Sequence, residues 1–294
     1  MHVVRQKLKI SHVCICKCKI RKKSCFFLFL FYLQLISRIF DIHNHIPETY
    51  THYTSIMIDI KYSVLPNLDG SCEYSTSNSK VITGVSGPLE PKQRHRLPLQ
   101  SAIEVFIKPS HGVGPSTREV LMQDKLATAL QSVIVTEKYP RELIQVNAQI
   151  LSNPFDSFGS LNEDPFNEIV SSMIDLNSCF NSIFISLIDS AVALKSCYYS
   201  NLFSINDKNE VINITNVESL EDFQSLKHKS IHLMVLEIEE NKPTNILLMD
   251  SKGSFNDDDI VKIIDAAQIN TQVEFKKLRS LIKEKVQNDY IWKA

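Results

Sequence analysis

From residue 166 onward, apolar side chains recur at steps of three, four or seven: Phe166, Val170, Met173, Phe180, Phe184, Leu187 and Ala191. Ile169, Ile174, Ile183 and Ile188 widen that stripe. A broad apolar face at the 3.6-residue period predicts a long helix buried over much of its girth. Asp164 stands where it can cap this helix, and Pro165 suits the first turn, where a missing N–H costs nothing. Other stretches alternate or are β-branched and predict strands: 58–65, 71–75, 79–87, 101–108, 141–151, 198–205, 210–215, 231–238 and 245–250. A second helix is expected from Thr117 to about Val135. A third is expected from near Asn256, where Asp257, Asp258 and Asp259 suit the positive helix end, with a break allowed along its length. Strands, helix, strand, helix, strands and helix in that order imply a mixed α+β domain.

Charge divides the 294-residue chain unequally. Residues 1–56 hold nine Lys or Arg against two Asp or Glu, whereas the remainder holds 23 basic and 31 acidic residues, so a net charge of −1 conceals +7 and −8. Such a contrast argues for one folded domain at 57–294 and a non-domain N-terminal extension at 1–56, either disordered or an artefact of the gene model. The extension runs from a basic start into CFFLFLFYLQLI, half the length of a membrane-crossing helix. That layout is shared with secretory signals, but bulky LISRIFDIH follows in place of a small-residue cleavage site. Cys14, Cys16 and Cys18 alternate too tightly for the usual paired zinc ligands, so no metal and no cofactor are expected. Cys72, Cys179 and Cys197 suit a reducing compartment without a disulfide framework.

Several motifs fall in a recognisable order. LDGS is followed by a strand ending in GP, then an EP-K-x-R loop, TRE before a helix, and the late LLMDSKGSFND. Over residues 60–285 this resembles the RNase PH-like subunits of the eukaryotic RNA exosome. The resemblance implies an RNase PH-like α+β fold of two βαβ-like halves, with mixed sheets and central helices. It also implies a hetero-hexameric ring of related subunits threaded by RNA, S1/KH cap subunits on one face and a hydrolytic exosome nuclease at the other. Nucleus, nucleolus and cytoplasm are the expected locations, with no membrane attachment.

Active members of the family cleave RNA with phosphate, and the resemblance says where that chemistry would reside. TALQ (128–131) stands where two backbone-gripping arginines would be, with Thr128 and Gln131 in their places. MIDLN (173–177) stands where a glycine-rich turn would hold the attacking phosphate. Met173 and Ile174 replace the glycines, Leu176 replaces an arginine, and Asn177 alone keeps a hydrogen-bonding side chain other than acidic Asp175. A paired-aspartate motif would fall near Asp222, but six residues on is His228. These positions form a degenerate phosphate site, no residue is expected to be catalytic, and Asp189 reads as a structural acid. The alternative is an active phosphate- or metal-dependent 3'–5' exoribonuclease.

A domain balance of −8 gives no bulk attraction for a polyanion, so RNA contact must rest on local clusters. Lys92, Arg94 and Arg96 form one, with His95 among them. Lys108, His111 and Arg118 form another after the next strand. Side-by-side placement of those two strands would bring both clusters to one end. The composition offers no aromatic interleaving for base stacking. The apolar faces of IKYSVL, KVITGVSG and IHLMVLEI are expected to meet ring neighbours.

Overall fold

The computed structural model describes residues 58–112, 114–153, 165–216 and 228–289. The N-terminal extension, Asp164 and Asp222 lie outside them. Among the described residues, the first half forms strands β1 (Asp59–Tyr62), β2 (Gly70–Ser75), β3 (Lys80–Leu89), β4 (Ala102–Lys108) and β5 (Leu143–Ser152). Helix α1 (Thr117–Val133) connects β4 to β5, and α2 (Pro165–Asp189) leads out of the sheet. The second half contains β6 (Cys197–Asn206), β7 (Val211–Asn213), β8 (His228–Glu239), β9 (Lys242–Gly253) and the 33-residue α3 (Asp257–Asp289). The third helix is continuous, without the break its sequence allowed.

The first sheet has the order β1-β2-β3-β5-β4, antiparallel except for the parallel β4–β5 pair. Parallel neighbours need a crossover, and α1 supplies it. The second sheet, β7-β6-β8-β9, is antiparallel throughout. Between the sheets lie the central helices: α2 packs on β2 and β3 on one side and on β6 on the other, and α1 spans β4 and β9. On β6, Tyr198 donates its hydroxyl to Phe180 O of α2 at 3.1 Å, whereas Asn201 bonds Thr271 Oγ1 of α3 at 2.7 Å. Successive strand side chains point oppositely, so β6 has a helix on each face, which is why nearly all of it is buried.

Local chemistry places these elements. Ser116 and Glu119 form a reciprocal capping box that starts α1, with Glu119 Oε2 accepting from Ser116 N at 2.6 Å. In the LDGS motif, Asp69 Oδ2 accepts from Gly87 N at 2.8 Å. Gly70 lets β2 press against the end of α2, because a side chain there would overlap Ser190 N and Ser186 O. Serines on α2 face β3: Ser178 bonds Ser79, and Ser182 meets Thr83 Oγ1 at 2.8 Å. Small hydroxyls thus let the helix and sheet approach closely while satisfying buried polar groups.

Candidate functional site

Regular helix runs without interruption through residues 173–177. Met173, Ile174, Leu176 and Asn177 are each no more than 3% exposed. A phosphate-binding turn works by pointing several backbone N–H groups at the anion, whereas here they lie inside an unbroken helix whose interior N–H groups bond along the helix itself. The apolar side chains join the core shared by both sheets.

Asp175, within the same stretch, meets an unexpected partner. Arg118, at the start of α1, forms an ion pair with it and also donates from Nη2 to Ser171 Oγ at 3.1 Å. Asn153, just after β5, donates from Nδ2 to Asp175 Oδ1 at 2.8 Å. The Arg118 guanidinium, expected among the RNA-gripping cations, is therefore engaged by a carboxylate of its own chain. The pairing joins residues 57 apart in sequence, with no local periodicity to announce it.

The two basic clusters also separate. β5 lies between β3 and β4, so the side-by-side placement that would have brought the clusters together does not occur. Leu89 and Ala102 both stand level with Leu143, which puts the Lys92–Arg96 loop at one end of the sheet. Lys108 stands level with Gln149, six residues along, or about 20 Å away at the usual strand rise. Lys92, Arg94 and Arg96 are exposed, and His95 Nδ1 is held 2.6 Å from Glu104 Oε1 of β4. Two exposed leucines, Leu97 and Leu99, flank this loop, and Leu99 at 84% exposure is unusually open for its type.

Asp189 closes α2 as a structural group. It pairs with Lys285 of α3, accepts from Ser71 N at 2.9 Å, and accepts from Ser63 Oγ at 3.2 Å. Thr128 and Gln131 face solvent on α1, and Thr128 donates back to Asp124 O at 2.8 Å. Cys72 and Cys179 are fully buried, and burial pushes the Cys72 thiol up to about 12 and the Cys179 thiol higher still. Neither is a nucleophile in this environment. Among the described residues, no cluster of three or more His, Cys, Asp or Glu is arranged to hold a metal ion, and no helix is long and apolar enough to cross a membrane.

Comparison with known proteins agrees with this architecture. The 3' exoribonuclease family, domain 1, matches residues 57–193. The exosome complex component RRP46 of Saccharomyces cerevisiae is 32% identical over 232 residues, covering 78% of this chain and 96% of the yeast protein. The chain belongs to the Rrp46 family of RNase PH-like proteins. Within that family, the exosome complex component rrp46 of Schizosaccharomyces pombe is 25% identical, covering 76% of this chain and 88% of its own length. The crystal structure of rice Rrp46 superposes with a TM-score of 0.63 at 19% identity, covering 77% of this chain and 94% of the rice protein, a likeness of fold. Family membership accounts for the motif order from LDGS to LLMDSKGSFND.

Proposed function

We propose that the chain is a non-catalytic structural subunit of the RNA exosome core ring. It supports 3'-to-5' RNA processing and degradation, including rRNA maturation and mRNA turnover, by helping to form the channel through which RNA passes. The observation that supports this reading is α2, whose unbroken, buried passage through Met173–Asn177 presents no open turn of backbone N–H groups to a substrate phosphate. Near-complete coverage of a relative named as an exosome component supports the assembly role.

The partners on this reading are other RNase PH-like subunits in a hetero-hexameric ring, S1/KH cap subunits, a hydrolytic nuclease and RNA. The exposed Lys92, Arg94 and Arg96 offer the polymer a sequence-independent contact, and Lys108 a separate one at the other end of the sheet. Nucleus, nucleolus and cytoplasm are the compartments this role requires.

The test is RNA shortening by the purified chain, with and without inorganic phosphate and with and without Mg²⁺. No loss of a labelled single-stranded RNA under any condition is expected. Phosphate-dependent release of nucleoside diphosphates would overturn the non-catalytic assignment.

A further inference from the structure

Asp175 is 1% exposed in the middle of α2, between the core residues Ile174 and Leu176. An ionised carboxylate so deep in a protein persists only when donors replace the water it has lost. Here the donors come from two other elements. Arg118 enters from the first turn of α1 and pairs with Oδ2, while Asn153 enters from the end of β5 and bonds Oδ1 at 2.8 Å. Ser171, one turn earlier on α2, accepts from Arg118 at 3.1 Å and from Asn153 at 3.2 Å, fixing both donors at the carboxylate. The Ser116–Glu119 capping box fixes the backbone that carries Arg118, and Ser171 contacts its guanidinium beside Asp175.

A guanidinium and an amide directed at two oxygens of one group make the donor pattern that recognises carboxylate and phosphate alike. A carboxylate carried on the same chain is always present at the site, whereas a free anion must be captured from solution. We propose that Arg118, Asn153 and Ser171 form an oxyanion-recognition site that the chain keeps filled with its own Asp175 carboxylate, closing it to inorganic phosphate. All four residues belong to one chain.

Chemical rescue tests the proposal. The full chain and its Asp175→Ala variant are melted in rising inorganic phosphate, with chloride at matched ionic strength as the control. The variant is expected to melt lower than the parent and to recover saturably in phosphate by about 3 °C or more, beyond any change in chloride. The parent should show no such saturable difference, and adding Arg118→Gln to Asp175→Ala should abolish the recovery. An Asp175→Ala chain that folds only when phosphate is present would support the site equally. Equal responses to phosphate and chloride, or a variant that fails to fold even in phosphate, would overturn it. Asp175→Ser, which keeps a small polar group, is measured in parallel with the same expectations, so that a packing defect peculiar to alanine does not decide the outcome.

Discussion

Lys285 near the end of α3 reaches Asp189, the last residue of α2, and lies over the Tyr62 ring of β1 with 4.8 Å from Nζ to the ring centroid. One ion pair thus fastens the C-terminal helix to both the end of the central helix and the edge of the first sheet. Asp189 also accepts from the backbone of Ser71, so the acid serves three elements at once.

Removing that acid should be costly. Asp189→Ala strands Lys285 and the Ser71 N–H in a largely dry environment, and a loss of about 3 kcal/mol in unfolding free energy is expected by urea titration. Lys61→Ala, which removes a surface partner of Glu73, should cost less than about 1 kcal/mol in the same assay. Equal effects would show that the two pairs are not distinguished by burial.

His232 makes stability depend on pH. The imidazole is fully buried on β8, with Ser251 Oγ 2.8 Å from Nδ1 and Ser230 Oγ 2.8 Å from Nε2. Burial lowers its pKa from 6.5 to about 4, although the carboxylate of Asp259 on α3 acts in the opposite direction. Between those values the unfolded chain binds the proton and the folded chain does not. The contribution is therefore complete above about pH 6.5 and is lost progressively as pH falls towards 4, by roughly 3 kcal/mol in all. Urea unfolding from pH 4 to 7 should show this slope in the parent, and His232→Gln should flatten it.

An arginine cannot be restored to α2 by single substitution. Leu176→Arg places a charge at a position 2% exposed, and a loss exceeding about 4 kcal/mol, or failure to fold, is expected. Met173→Ala should cost about 2–5 kcal/mol by cavity formation in the same core. A stable Leu176→Arg chain would mean that the helix opens there.

The exposed basic loop predicts a salt-dependent RNA contact. Replacing Lys92, Arg94 and Arg96 by glutamine should weaken RNA retention by the assembled complex and leave assembly intact. Each lost single-strand phosphate contact should lower the slope of log K against log salt by about 0.7. Unchanged crosslinking in the triple variant would remove this loop from the RNA path. Lys108→Gln should act separately, because the sheet keeps it at the far end from the loop.

The helix α2 and most strands were legible because their burial pattern is periodic and local. Met173 and Ile174 read as buried apolar positions from spacing alone, and they are buried, as is Leu176, which the stripe does not include. The first sheet's neighbour order was not legible, since strand alternation says which face is apolar and nothing about which strand lies beside it. That is why the sequence leaves open whether Lys92 and Lys108 converge, and the sheet order sets them apart. Asp175 was equally opaque: as a residue it reads as a repulsive charge, and only the approach of Arg118 from 57 positions earlier turns it into a paired group. Conversely, Asp189 was recognisable as structural because it ends an apolar helix, although Lys285, 96 residues later, could not be named from that signal.

Purification of the native chain under mild conditions, with mass determination of the intact assembly and identification of its components, tests the central claim most directly. The predicted result is a hetero-oligomer containing other RNase PH-like exosome subunits, S1/KH cap proteins and a hydrolytic nuclease, with one copy of this chain per ring. A stable homohexamer, or a free monomer that shortens RNA unaided, would contradict it.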